Sequence, residues 1–401
     1  MRALIAPDSF GDTLTAVAAA EAIAKGWRHA RPADEIVCAP LSDGGPGFVD
    51  VLASRLGTPM SASVTGPLGE PVQARWLLDM TTATGYIECA QACGLPLIEQ
   101  LTPDSAWRAT TFGVGELIAI ALEAGVQRVV VGLGGSSSTD GGLGAVAALA
   151  GLSVDDVPGL SDDRVPGLSD DRVSGLSDDR VSGLSDDRVS GPPGDRAAHA
   201  LQAARERMGA VRIVVASDVD NPLCGVDGAA VVFGPQKGAD EPTVARLEER
   251  LDRWSATIAA VIGRDVAQLP GAGAAGGLGA ALLALGGQRV SGATVIAEAI
   301  GLVGLVAGSD LVITGEGKFD RQTLSGKVVA AVAGTARDHH VHTVVVAGQI
   351  ALSSAEIAAS GVHAAYAIVD VADSIDHAMT SAGELLQRLA AEIAGSWGPD
   401  P

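Results

Sequence analysis

The sequence is poor in aromatic residues, lysine and cysteine. Aromatic residues make up 3% of the 401 residues, and the 27 basic residues are almost all arginine. Four cysteines are too few for a disulfide framework in a chain of this length. Cys89 and Cys93, four residues apart, are expected to be small buried residues on one helix face. A metal role for this pair is the weaker alternative, because no second Cys/His cluster accompanies it.

Long apolar runs and an excess of positive charge are also missing. A run of only four apolar residues precedes Pro7, which is too short for the apolar region of a signal peptide. No uninterrupted run of 18 apolar residues occurs, since the longest candidate contains Glu298. The net charge of −21 disfavours binding to nucleic acid or to an anionic membrane. These absences predict a cytoplasmic protein whose partner is a small molecule.

Glycine and aliphatic residues are plentiful, with 52 glycines and 47% hydrophobic residues, enough for the cores of two or three domains. Strand–loop–helix units occur at both ends of the chain, and an alternating pattern near 59–90 indicates antiparallel strands. We therefore expect an α/β fold: a parallel-sheet domain formed by 1–58 and 288–401, carrying an inserted α/β domain at 59–287. The run Ala229–Phe233 is expected to be a strand.

An eight-residue repeat interrupts the inserted domain. VPGLSDDR occurs twice and VSGLSDDR twice between residues 157 and 188. One apolar pair per unit buries too little surface to offset the ordering entropy. The composition predicts a flexible low-complexity loop over 154–196. A calcium-binding repeat is the alternative, but each unit carries an arginine and the spacing matches no calcium loop.

The richest motif is GLGGSSSTDGG at 132–142, which follows an apolar strand and precedes a helix. Glycines let backbone N–H groups approach an anion, and a helix N-terminus adds positive potential. The motif predicts a phosphate-binding loop, with Asp140 able to hold a metal. The alternative is a glycine turn with a polar helix cap. The P-loop pattern GxxxxGK[ST] does not occur in the sequence.

Carboxylates follow several other predicted strands. Asp218 and Asp220 are expected on one side of an extended segment. One of them could act as a base, or both could hold magnesium. The alternative is a turn rich in Asp and Asn without a catalytic role. Asp8 and Asp43 end two N-terminal strands, and TGEGKFDRQTLSGK at 314–327 is expected to be a further loop. Carboxylates and glycines without histidine favour Mg-nucleotide chemistry over hydrolysis by a Ser–His pair.

Two features compete with or add to that interpretation. Three of the four lysines, Lys237 and Lys318 among them, lie in glycine-rich loops. This placement indicates either a phosphate or carboxylate partner or exposed lysines that only favour solubility. Gly271–Gly276 fits GxGxxG, so an NAD-dependent oxidoreductase is an alternative. However, no convincing strand precedes this motif and no paired acid follows it.

Taken together, these motifs resemble the bacterial glycerate kinase family of the Rossmann-like, non-P-loop type. The resemblance runs from Met1 to about Ile393 outside the repeats. The matching stretches are APDSFGDTLTA, PLSDGGPG, TTFGVGELI, GLGGSSSTDGGLGA, SDVDNPLCG, VFGPQKGA, GAGAAGGLGAAL and DLVITGEGKFDRQTLSGKVV. The resemblance implies ATP- and Mg²⁺-dependent phosphorylation of D-glycerate in a cleft between two domains, most often at O2, giving 2-phosphoglycerate.

The chain departs from the family pattern at a few positions. Gly11 stands where the family has a lysine, and Pro46 stands where a glutamate is common. Arg2, Lys237 or Lys318 could supply the missing cation. The alternatives are a glycerate 3-kinase, a kinase of a related hydroxy acid, and a binding homologue without catalysis.

Residue type and loop position suggest a role for each candidate, and a monomer or homodimer is expected. The catalytic candidates are Asp218 as base, Asp8 as second choice, and Lys237. The nucleotide- or phosphate-binding candidates are Gly134, Gly135, Ser136, Ser137, Gly315, Gly317 and Lys318. The substrate-binding candidates are Ser9, Asp220, Asn221 and Arg321, and the magnesium candidates are Asp43, Asp140 and Glu316.

Overall fold

The computed structural model describes residues 1–154, 193–323 and 328–398, and these ranges form two β-sheets with helices around them. The strands are β1 (Arg2–Ile5), β2 (Glu35–Cys38), β3 (Thr58–Thr65), β4 (Pro71–Asp79), β5 (Thr84–Glu88), β6 (Arg128–Gly132), β7 (Arg212–Ala216), β8 (Gln288–Val290), β9 (Leu311–Phe319), β10 (His342–Ile350) and β11 (Ala364–Ala367). The helices are α1 (Ala16–Ala30), α2 (Phe48–Ala53), α3 (Ala90–Cys93), α4 (Pro103–Arg108), α5 (Phe112–Glu123), α6 (Leu143–Leu149), α7 (Pro193–Met208), α8 (Ala229–Phe233), α9 (Glu241–Ile262), α10 (Leu278–Ala284), α11 (Gly292–Ile300), α12 (Leu302–Ala307), α13 (Val328–Asp338), α14 (Ser354–Ala359), α15 (Ile375–Thr380) and α16 (Ala382–Ser396).

The first sheet has five parallel strands in the order β11-β10-β9-β1-β2, contributed by both ends of the chain. Its strands are aliphatic because helices cover both faces of a parallel sheet. On one face, Ile23 and Trp27 of α1 and Leu386 of α16 bury the sheet residues Ile5 and Val344. The Thr15 side chain caps α1 by accepting from the Ala18 amide.

The second sheet has six strands in the order β3-β4-β5-β6-β7-β8. Strands β3, β4 and β5 pair antiparallel, and the Gly66–Gly69 turn joins β3 to β4. Strands β6, β7 and β8 continue the sheet in parallel with β5. The α/β class with two mainly parallel sheets is as predicted. Because β8 pairs with β7, the second sheet extends to Val290, three residues past the expected boundary at 287.

A shared apolar layer joins the two sheets. Phe48 of α2 and Ile296 of α11 pack in one cluster with Leu4 and Val312 of the first sheet. The second sheet contributes Leu77, Tyr86, Val130, Val214 and Ala216 to the same cluster. Since interiors are close-packed, this layer fixes the position of one sheet relative to the other. The carboxyl ends of both parallel sheets are therefore held near each other.

Three predictions of local structure differ from the structure. Ala229–Phe233 is helix α8, with Ala229 and Ala230 buried and Val231 and Val232 exposed. A five-residue apolar run does not distinguish a strand from a short helix. The segment 314–319, expected to be a loop, continues strand β9. Of the predicted flexible loop at 154–196, residues 155–192 lie outside the described residues, and α7 already begins at Pro193.

Among the described helices, none is long and apolar enough to span a membrane.

Candidate active site

Loops from the carboxyl ends of both sheets meet at one cleft. The loop after β2 lies across the ends of β6, β7 and β8: the Gly134 amide donates to the Gly44 carbonyl at 3.1 Å. A Cβ on Gly292 would lie 1.9 Å from the carbonyl oxygen of Asp43, so only glycine permits this approach. Ligands bind in such crevices at the carboxyl ends of parallel strands. This contact therefore locates the candidate active site.

At the carboxyl end of the first sheet lie Asp8, Ser9, Glu316 and Lys318. The Asp8 amide donates to the Gly315 carbonyl at 2.8 Å, and the Ser9 carbonyl accepts from Gly317 at 3.3 Å. The Thr323 hydroxyl donates to Glu316 Oε1 at 2.5 Å, and Lys318 Nζ lies 3.4 Å from Asp320. The loop after β1 is thus fastened to β9, so both present their side chains together.

Gly315 occupies a different place from the one predicted for a phosphate-binding residue. It lies within β9, paired with Val346, and a Cβ there would come within 2.0 Å of the Val346 carbonyl oxygen. Close strand packing explains this glycine without a ligand. Gly317, two residues further, lies against Gly11. A Cβ on Gly317 would lie 3.0 Å from the backbone nitrogen of Gly11.

Four predicted phosphate-binding residues lie in the glycine-rich loop after β6, and the backbone amides of two of them are available to a ligand. Gly134 and Ser137 donate to the carbonyls of Gly44 and Cys93. The amides of Gly135 and Ser136 have no hydrogen-bond partner among the described residues. Gly135 has φ +75°, a conformation in which successive N–H groups can form a concave anion site.

Asp140, predicted to hold a metal, is instead fully buried and saturated with donors. Its carboxylate accepts from the amides of Thr111, Gly142 and Gly144 and from the hydroxyls of Thr110 and Thr111, at 2.8–3.3 Å. Both oxygens are therefore engaged within the protein. The geometry favours a role in shaping the loop and the start of α6 over the predicted metal role.

Lys237 is also buried, beneath the same loop. Its Nζ donates to Ser136 Oγ at 3.2 Å and to the Ser138 carbonyl at 2.5 Å. Burial lowers the pKa of Lys237 to about 8. With 2% of its surface exposed, the ammonium supports the loop from behind rather than reaching into the cleft as predicted.

Asp218, the predicted base, lies where the two sheets meet. Its Oδ1 accepts from the Gly292 amide at 3.2 Å, whereas the buried Oδ2 has no hydrogen-bond partner among the described residues. Burial raises the pKa of Asp218, the neighbouring Ser291 side chain opposes this rise, and the negative charge of Asp43 adds to it. The exposed Asp43 binds its own turn among the described residues, with Oδ1 accepting from the Gly45 amide at 3.0 Å.

The predicted substrate-binding residues separate into two groups. Asp220 lies at the cleft, where its Oδ1 pairs with Arg289 Nη2 at 2.8 Å. Asn221 stabilises its own loop by donating to the Asp227 carbonyl at 2.8 Å. Arg321 pairs with Glu356 at 2.8 Å, with 82% of its side chain exposed. Asn221 and Arg321 are therefore held by partners away from Asp218, whereas Asp220 pairs with an arginine that also contacts the residue before Asp218.

Sequence reasoning missed two residues near the cleft, Glu88 and Arg289. Glu88 ends β5, and its Oε2 accepts from the amides of Gly47 and Val49 at the start of α2. Burial raises the pKa of this carboxyl group. Its position at the end of an apolar strand was an available signal, whereas nothing local marked Arg289.

The Gly271–Gly276 motif does not have the context of a dinucleotide site. No strand lies between α9 and the motif, and this segment is irregular. A Cβ on Gly273 would lie 2.2 Å from the Pro222 carbonyl oxygen, and one on Gly276 would lie 1.9 Å from that of Ser138. These glycines pack against protein backbone, which disfavours the oxidoreductase alternative.

The departures from the family pattern also have a structural setting. Gly11 has φ +56°, a conformation that residues with a side chain rarely adopt. Pro46 packs over Gly135, where an added Cβ would lie 2.7 Å from Pro46 Cγ. Arg2, one candidate for the missing cation, lies at the opposite end of the first sheet, where it contacts Glu35 and Gly308. Lys318, by contrast, is exposed near the carboxyl end of β9.

Comparison with known proteins gives the class. The family model described as the glycerate kinase family matches residues 3–162 and 193–398, and the chain belongs to this family. The family predicted from the motifs is thus confirmed.

Individual relatives agree over nearly the whole chain. Glycerate 2-kinase of Escherichia coli is 36% identical over 99% of this chain and 98% of its own. An uncharacterised protein of Mycobacterium tuberculosis is 45% identical over 99% of this chain and 92% of its own. A crystal structure of a Salmonella typhimurium LT2 protein assigned as glycerate kinase 2 superposes with a TM-score of 0.73 at 34% identity, covering 99% and 98% of the two chains.

Proposed function

We propose that this protein transfers the γ-phosphoryl group of ATP to the O2 hydroxyl of D-glycerate, giving 2-phosphoglycerate, with Mg²⁺ bound. The observation that carries the proposal is the buried, unpartnered Oδ2 of Asp218 at the meeting point of the two sheets, close to Asp43. An orphaned carboxylate oxygen is costly unless a ligand or ion completes it. A substrate hydroxyl would complete it.

In-line phosphoryl transfer depends on positioning and on charge stabilisation. The amides of Gly135 and Ser136 would donate to the nucleotide phosphates. Asp218 would accept the proton of the glycerate hydroxyl, and its raised pKa suits a base working near neutral pH. Asp8 stays the second candidate for this role, with Oδ1 accepting from the Ser9 amide at 2.6 Å.

The donor set of the cleft fits magnesium. Carboxylate oxygens are the ligands that Mg²⁺ prefers; Asp43 brings one from the loop after β2, and Glu316 brings one from the end of β9. Bound Mg²⁺ would neutralise the charge on the phosphates. The proposal also keeps the cytoplasmic location and the monomeric or homodimeric state as predictions.

An enolase-coupled assay with D-glycerate, ATP and Mg²⁺ tests the proposal, run with and without phosphoglycerate mutase. A signal without mutase is expected, because enolase accepts the 2-phosphate directly. A signal only with mutase would mean transfer to O3. No signal from folded protein with active coupling enzymes would refute catalysis on glycerate and favour a binding homologue.

A further inference from the structure

A hydroxy-acid substrate brings a carboxylate that the cleft must recognise, and the cations suggested by the sequence do not lie beside Asp218. Lys237 is buried under the glycine-rich loop, Arg2 lies at the far end of the first sheet, and Lys318 is on β9 of the first sheet, where it pairs with Asp320. The carboxylate of a bound acid therefore needs another partner near the base.

Arg289 occupies that position. It lies on the edge strand β8, and its Nε donates to the carbonyl of Ser217, the residue directly before Asp218, at 3.2 Å. Its stem crosses Gly271, where a Cβ would come within 2.7 Å of Arg289 Cδ. The lack of a side chain at Gly271 thus lets the arginine fold back toward the end of β7.

The hydrogen-bonding capacity of this guanidinium is only partly used. Nη2 pairs with Asp220 at 2.8 Å, and Nη1 makes no hydrogen bond to the described residues. The Asp220 side chain is 79% exposed, so an exposed carboxylate holds the guanidinium. Exposed ion pairs are weak, and an incoming carboxylate that binds both nitrogens can displace Asp220.

We propose that Arg289 binds the carboxylate of the acceptor acid and that Asp220 holds the guanidinium until the substrate replaces it. This inference rests on the proposed kinase function and specifies its substrate class as 2-hydroxy carboxylates. The C2 hydroxyl is attached to the carbon next to the carboxylate, whereas the C3 hydroxyl is one bond further away. Anchoring the carboxylate beside Asp218 therefore favours O2 as the acceptor.

The pair Arg289 and Asp220 gives a test in which the two substitutions have opposite effects. Arg289→Gln should raise the KM for D-glycerate about 10- to 100-fold, the range expected for a lost charge-assisted hydrogen bond, and leave the KM for ATP unchanged. Arg289→Lys should restore part of the loss. Asp220→Asn should lower the KM for D-glycerate about twofold to fivefold, because a competitor is removed.

A purely structural ion pair predicts that both substitutions act in the same direction. An Asp220→Asn variant whose KM rises with that of Arg289→Gln would overturn the inference. Arg253→Gln, which changes an exposed arginine on α9, is the matched control and should leave both KM values unchanged. Thermal melts establish that each variant is folded.

Calorimetric titration separates this inference from the proposed function, since it needs no turnover. Wild-type protein should bind D-glycerate and lactate but not glycerol, and Arg289→Gln should lose that preference. Turnover of glycerate with an unchanged KM in Arg289→Gln would refute the inference and leave the kinase function intact. Carboxylate binding that depends on Arg289, without any turnover, would refute the kinase function alone. Wild-type protein that neither binds nor turns over D-glycerate would overturn both.

Discussion

Asp43 and Asp140 show how differently the two sheets end. Asp43, after a strand of the first sheet, is exposed and accepts a hydrogen bond from the Gly45 amide of its own turn. Asp140, after a strand of the second sheet, is fully buried and accepts from three amides and two hydroxyls. A carboxylate saturated by protein donors fixes backbone, whereas one that still has open lone pairs can meet a ligand. The same residue type therefore shapes the loop on one side of the cleft and remains available on the other.

Asp218 lies between these extremes, because it is half-buried and yet has one orphaned oxygen. Asp218→Asn should lower kcat by about 10²- to 10⁴-fold, the range for removing a general base, with little change in thermal stability. Because the pKa of Asp218 is raised above its ordinary value, the acidic limb of the kcat–pH profile should lie above the ordinary aspartate range. Single-turnover kinetics across pH measures both effects, and a variant with full activity would exclude Asp218 as the base.

Asparagine substitutions at Asp43 and Asp140 test the comparison directly. Asp140→Asn should cost about 3 kcal/mol of unfolding free energy, because an amide group would face N–H donors. Asp43→Asn should change stability by less than about 1 kcal/mol and raise the Mg²⁺ concentration needed for activity. Urea unfolding and magnesium titration read out the two effects. If Asp43→Asn destabilised the protein as much as Asp140→Asn, the contrast would be wrong.

Lys237 extends the contrast to a cation. Lys237→Met should cost about 1–3 kcal/mol at pH 7, because it leaves the buried Ser138 carbonyl without its donor. The folded pKa of about 8 lies below the ordinary 10.5, so between these values the unfolded chain binds more protons than the folded one. Wild-type stability should therefore rise with pH in that interval relative to the variant. Lys25→Met, at an exposed lysine on α1, is the control and should show neither change.

The smallest effect is expected from deleting residues 157–191. The family model matches on both sides of 163–192, and the repeated units carry little apolar surface. Stability, oligomeric state and kcat should all stay unchanged, as measured by melting, light scattering and the coupled assay. A change in oligomeric state would instead give the repeats a role in association.

Much of the fold could be predicted because its signals are local. The parallel strands at both chain ends are aliphatic runs, and the apolar spacing of α1 follows a helical period. Ala229–Phe233 was mispredicted because five apolar residues carry no period, and packing against α9 selects the helix. The extension of β9 through Lys318 was missed for a similar reason, since pairing with β10 overrides its glycine-rich sequence.

The sequence by itself determined the family, the two-sheet α/β class and the loops that surround the cleft, because motif order and hydrophobic period are properties of the chain alone. Tertiary structure decided which charged residues are available at the cleft. Lys237 and Asp140 look like site residues in sequence, yet burial turns both toward the protein interior. Arg289, unremarkable in sequence, reaches the Asp218 loop because Gly271 leaves room for its stem. Burial and the contact between distant segments are not encoded at any single position, so only the folded chain reveals them.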